Sequence, residues 1–85
     1  MPESKPITDK ADEIVRETVV FAAELLDEPE LSAKDNFLDL GGHSMLALEL
    51  SEWAKERYGA SISMELIFER SIGEAAADMV RRVDA

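Results

Sequence analysis

Eighty-five residues make one domain, large enough for a modest core and too small for a catalytic cleft between domains. Hydrophobic residues are 46% of the chain, far more than a disordered acidic tail holds, and the lack of cysteine excludes disulfides and thiolate metal sites. A formal charge of −10, from 19 acidic and 9 basic side chains, argues against nucleic acid and anionic membrane as partners, since both demand a basic patch.

Such a charge either prepares the domain for a partner with a basic docking face or simply keeps it in solution. No apolar run approaches a membrane span, and the opening Met1-Pro2-Glu3-Ser4-Lys5-Pro6 lacks a signal peptide's apolar core. With the missing cysteines, this implies a cytoplasmic protein.

Residues 1–7 are polar, carry two prolines and read as a flexible start. Thr8 or Asp9 is expected to cap a first helix. Its apolar stripe is Ala11, Ile14, Val15, Thr18, Val19, Ala22, Leu25 and Leu26, at helical spacing, and Pro29 is expected to stop it. From Glu28 to Gly42 nothing is periodic. Leu31, Phe37 and Leu40 are expected to anchor this loop across the helices, with turn chemistry at Asp35 and Asn36; disorder is the alternative.

A second helix is expected from about Ser44 to Tyr58, ending at Gly59, with Leu46, Leu50, Ala54 and Tyr58 as its buried ladder and Trp53 at the core's edge. Ile62, Met64, Leu66, Ile67 and Phe68 predict one or two helical turns after a capping Ser61 or Ser63. Ser71-Ile72-Gly73-Glu74 has capping-box spacing and opens a last helix, whose apolar side is Ile72, Ala75, Ala76, Met79, Val80 and Val83. The fold class is therefore all-α: a small four-helix bundle of three main helices and one short one.

The chemistry concentrates in Leu40-Gly41-Gly42-His43-Ser44-Met45-Leu46. Gly41 and Gly42 let the backbone turn sharply and keep side chains away from an approaching enzyme. A helix beginning at Ser44 aims its hydroxyl outward and offers unpaired N–H groups to an anion, as a phosphodiester requires. A serine capping a helix after an ordinary glycine turn would show the same four residues. A Ser–His nucleophile is disfavoured, because neighbours in sequence project in different directions, and Leu46 stands where a nucleophile elbow needs glycine. His43 is the only histidine, and no metal-ligand spacing exists.

Asp35-Asn36-Phe37-Leu38-Asp39-Leu40-Gly41-Gly42-His43-Ser44 is similar, almost residue for residue, to the attachment loop of peptidyl carrier domains (thiolation domains) of nonribosomal peptide synthesis, in the acyl carrier protein-like superfamily. Met45, Leu46, Ala47 and Leu50, then Tyr58-Gly59 and Leu66-Ile67-Phe68-Glu69, extend the resemblance downstream. It implies an acyl carrier protein-type bundle in which Ser44 carries a covalent 4'-phosphopantetheine drawn from coenzyme A. Gly41, Gly42 and His43 would frame the group, although His43 also reads as a plain exposed loop residue.

The same resemblance implies no catalysis by the chain itself, only presentation of an aminoacyl or acyl thioester. The implied partners are a phosphopantetheinyl transferase, an adenylating or acyl-loading enzyme, and condensation or tailoring enzymes. Met45, Leu48, Met64 and Ile67 are the candidate partner surface, with core packing the other reading for Met64 and Ile67. Three positions depart from the family pattern: Arg70-Ser71 replaces Pro-Thr, Ala75 replaces a larger aliphatic, and Met45 replaces leucine. Residues 1–85 are expected to be one monomeric carrier domain, read as stand-alone because the chain starts at a methionine and ends soon after its last helix, with a domain excised from a larger synthetase as the alternative. A polyketide or fatty-acyl carrier, or an unmodified helical interaction module, is the alternative.

Overall fold

The computed structural model describes residues 10–83. Four helices form it: α1 (Lys10–Leu26), α2 (Ser44–Tyr58), α3 (Met64–Glu69) and α4 (Ile72–Val83), with a 3-10 turn at Leu38–Leu40. The expected cap at Thr8 or Asp9 lies outside the described residues. The all-helical bundle agrees with the sequence reading.

On α1 the buried positions are Ile14, Thr18 and Ala22, one residue per turn, while Ala11 is exposed. Thr18 is tolerated in the core because its hydroxyl donates to the Ile14 carbonyl at 2.7 Å. The helix ends at Leu26, before Pro29 can act. Asp27 takes a left-handed conformation (φ 56°), and Glu28 N–H donates to the Ala23 carbonyl at 2.9 Å. This is a Schellman-type stop with aspartate where glycine is usual.

Glu17 on α1 meets Arg57 and Tyr58 on α2, and Phe21 stacks on Trp53 with centroids 4.5 Å apart, so the two helices run antiparallel. Trp53 is half-buried at the core's edge, as expected. The buried ladder of α2 is Ala47, Leu50, Ser51 and Ala54; Leu46 and Tyr58 flank it half-buried instead of belonging to it. Ser51 is admitted by a bond from its hydroxyl to the Ile62 carbonyl at 3.1 Å. Gly59 ends the helix at φ 82°, as its position predicts.

Of the two candidate caps for α3, Ser63 is used: its Oγ accepts from Leu66 N–H at 3.3 Å. The capping box of α4 closes in both directions, Glu74 N–H to Ser71 Oγ at 3.1 Å and Ser71 N–H to Glu74 Oε1 at 3.2 Å. Serine thus caps this helix without the family's proline. Ile72, Ala75, Ala76 and Met79 are buried, and α4 packs chiefly against α1. Ala75 and Ala76 are small enough to bring the two backbones close.

Candidate functional site

The segment leading to Ser44 is built, not loose. Asp35 Oδ2 accepts from Ser32 N–H at 2.9 Å, and the Asp35 carbonyl accepts from Ile72 N–H at 2.8 Å, tying the loop to the start of α4. Gly73 N–H donates to the Ala33 carbonyl at 2.8 Å. Asn36 does most of the stapling. Its Nδ2 donates to the Phe68 carbonyl at 3.1 Å and the Arg70 carbonyl at 2.9 Å, while its Oδ1 accepts from Asp39 N–H at 3.0 Å. One side chain therefore satisfies two carbonyls at the C-terminal end of α3 and starts the 3-10 turn before the serine.

Phe37 is fully buried, and such a ring contributes about 1.5–3 kcal/mol by leaving water. Of the three expected anchors it is the deep one, with Leu31 and Leu40 half-buried. The turn after it closes through Gly41 N–H to the Leu38 carbonyl at 3.2 Å and Gly42 N–H to the Phe37 carbonyl at 2.9 Å. Gly41 must be glycine for its backbone freedom, because it sits at φ 99°; Gly42 must lack a side chain, because it is buried against Phe37. Space beside Gly41 is open, with nothing within 4 Å of where a Cβ would stand.

His43, in extended backbone (φ −94°, ψ 179°), is the N-cap residue of α2, and Ser44 is the first helical position. The first bond of the helix runs from Ala47 N–H to the His43 carbonyl at 2.9 Å. The N–H groups of Ser44, Met45 and Leu46 thus precede the intrahelical ladder and are available to an anion. Both His43 and Ser44 are exposed. An outward hydroxyl, helix-start N–H groups beside it and open space at Gly41 fit a phosphodiester-linked arm.

Of the candidate partner residues, Met45 is 65% exposed and Leu48 49% exposed, while Met64 is half-buried. Ile67 belongs to the core at 1% exposure, so it cannot meet a partner; it lies on the side of α3 that faces inward. Leu38, on the 3-10 turn and 49% exposed, was not singled out by periodicity because a three-residue turn has none to read.

Residues 15–78 match the family of phosphopantetheine attachment sites. The chain belongs to that family. As a carrier domain it holds 4'-phosphopantetheine covalently, and the resemblance to peptidyl carriers drawn from its loop stands. Among its relatives is the probable non-canonical nonribosomal peptide synthetase CymA of Salinispora arenicola, 41% identical over 64 residues that cover 75% of this chain and 1% of the synthetase. Phosphinothricin tripeptide synthetase PhsB of Streptomyces viridochromogenes is 37% identical over 57 residues, 67% of this chain and 5% of the synthetase. The bassianolide nonribosomal cyclodepsipeptide synthetase of Beauveria bassiana is 30% identical over 82 residues, 94% of this chain and 3% of the synthetase. The carrier domain thus spans a twentieth or less of the curated relatives it matches. No solved structure matches it significantly. Among the described residues no helix is long and apolar enough to cross a membrane.

Proposed function

We propose that Ser44 is the attachment point of the phosphopantetheine and that the domain presents aminoacyl or peptidyl groups to enzymes of nonribosomal peptide synthesis. The observation that carries this reading is the placement of Ser44, an exposed hydroxyl at the first position of α2 behind Gly41 and Gly42, inside the residues that match the family. The synthetases named above support the peptidyl branch over the polyketide and fatty-acyl one.

In the attachment step the Ser44 oxygen attacks the β-phosphorus of coenzyme A. The new P–O bond replaces the pyrophosphate bond, adenosine 3',5'-bisphosphate leaves, and the hydroxyl proton passes to a base of the transferase. Gly41 leaves room for that enzyme, Gly42 being packed on Phe37, and the helix-start N–H groups stabilise the phosphodiester. When bound, the arm supplies the thiol on which an acyl group is held. Tethering raises the effective concentration of that group at each docked enzyme.

The chain itself catalyses nothing in this reading, since His43 and Ser44 are neighbours across a helix boundary and such neighbours do not face each other. Its partners are a phosphopantetheinyl transferase, an adenylating or acyl-loading enzyme, and condensation or tailoring enzymes. They meet it at Met45, Leu48 and the exposed part of Met64, with His43 beside the arm. A monomer working in the cytoplasm, where coenzyme A is drawn on, completes the proposal.

Intact mass after incubation with coenzyme A and a broad-specificity phosphopantetheinyl transferase tests it, with Ser44→Ala alongside. A gain of one phosphopantetheine on the wild type alone is expected. No gain on folded wild type, with a transferase active on another carrier, leaves an unmodified interaction module.

A further inference from the structure

A second surface lies on α1, on a part of the molecule that the Ser44 reading does not use. Val20 is 53% exposed in the middle of the helix and borders a groove on each side. One groove, of about 370 Å³, has an apolar floor from Val19, Ala23, Pro29 and Leu31. The other, also about 370 Å³, runs along the stacked Phe21–Trp53 pair. Val20 and Glu24, one helical turn apart, line both, so the two grooves form one apolar strip with a central ridge. Each half is large enough for an aliphatic side chain.

Charge decides what fits. The first groove is rimmed by Glu24, Asp27 and Glu28, with no basic side chain among its lining residues. The second holds Arg16 and Arg57, but Arg57 is already engaged by Glu17 at 3.2 Å. A second copy of this chain would bring another charge of −10 to the same rim, and an anionic membrane would be repelled likewise. We infer that this strip docks a basic amphipathic segment of a partner protein, whose aliphatic side chains straddle Val20 while Lys or Arg reaches Glu24, Asp27 and Glu28.

Helix-in-groove recognition works in this way, with anchors one turn apart supplying affinity and rim charges supplying orientation. The surface is independent of Ser44. It would let a partner hold the domain by α1 while the attachment serine remains exposed to another enzyme.

The probe is a fourteen-residue synthetic peptide of Leu and Lys, with Leu at i, i+3 and i+4 spacing, titrated into the isotope-labelled full chain with amide shifts followed residue by residue. Saturable shifts are expected at Val19, Val20, Ala23 and Leu31. Val20→Glu and the pair Glu24→Lys with Glu28→Lys should each weaken binding about tenfold or more, whereas Met45→Glu and Ser44→Ala should leave it unchanged. Val20, Glu24 and Glu28 are exposed, so helical circular dichroism should stay at the wild-type level. Shifts confined to Leu38, Met45 and Leu48, equal binding by a peptide with Glu in place of Lys, or a dimer in sedimentation in place of peptide binding would each overturn the inference. Loss of Ser44 modification would not touch it.

Discussion

Gly42 lies directly on Phe37: its N–H donates to the Phe37 carbonyl at 2.9 Å, and an added Cβ would come within 2.7 Å of that oxygen and overlap the ring. The ring cannot swing aside, because it is fully buried. Gly42→Ala should therefore destabilise the fold by about 1–3 kcal/mol through overpacking. Gly41→Ala meets no atom but must hold φ 99°, which costs about 1–2 kcal/mol of backbone strain. The two mechanisms separate under asparagine, which tolerates left-handed backbone. Gly41→Asn should recover part of the loss in urea unfolding and Gly42→Asn none. Equal recovery at both would disprove the steric account of Gly42.

Asn36→Ala removes three hydrogen bonds at once and strands the Phe68 and Arg70 carbonyls and the Asp39 N–H. An unsatisfied group costs about 1–3 kcal/mol where it is shielded from water, less where water can replace the lost partner. Since the Arg70 and Asp39 bonds are exposed, the total should stay near 1–2 kcal/mol, a fall in Tm of about 5 °C or more for a domain of this size. Asn36→Asp keeps the acceptor and loses both donors, so it should rescue the 3-10 turn without restoring the tie to α3. Hydrogen exchange at Asp39 and Leu40 separates the two variants, and identical exchange would refute the division of labour.

The helices were legible in the sequence wherever a local rule applied. Periodicity located α1, α2 and α4, Gly59 marked one end, and the Ser71–Glu74 spacing marked one beginning. Features with no local signature were not. The stop at Asp27 depends on a left-handed residue that is usually glycine, so Pro29 looked like the stronger signal. Asn36 reads as turn chemistry because its real partners, Phe68 and Arg70, lie more than thirty residues away. The buried face of α2 is turned by about one residue from the Leu46–Tyr58 ladder, since Ala47 and Ser51 are buried, Ser51 through its hydrogen bond to the Ile62 carbonyl. At the candidate site, the start of α2 at Ser44 was legible from the glycines before it, whereas the burial of Ile67 depends on which way a six-residue helix faces.

Tyr58 is the only tyrosine, so its titration can be followed by phenolate absorbance. Burial first, then its hydrogen bond to the Glu17 carboxylate, pushes it up to about 12. A raised phenol stabilises the fold fully below its ordinary value of 10.0 and loses that contribution as the pH climbs through about 12. Glu17 behaves oppositely. The Tyr58 hydroxyl, then the Arg57 guanidinium, hold it below its ordinary 4.5, so its contribution is present above that value and is lost as acid protonates it. Tyr58→Phe should lower Tm at neutral pH and flatten both the alkaline and the acid limbs of the stability profile. A phenol titrating near 10 in the folded wild type would remove the basis of this prediction.

Met45 and Leu48 project into solvent from the first turns of α2, while Ile67, on α3, is sealed in the core. Glutamate at Met45 or Leu48 should leave Tm and helical circular dichroism nearly unchanged, within about 0.5 kcal/mol, because both side chains are exposed and have little packing to lose. It should still lower kcat/KM for attachment or acyl transfer about tenfold, the equivalent of about 1.4 kcal/mol of lost apolar contact with the docked enzyme. Ile67→Glu should instead unfold the domain, since an unpaired charge would have to be buried. Ile67→Ala, which only leaves a cavity, should cost about 2–5 kcal/mol with attachment unimpaired in whatever fraction remains folded. Normal transfer with every partner in Met45→Glu and Leu48→Glu would move the docking face elsewhere, and Leu38, exposed on the turn before Ser44, would be the next residue to change.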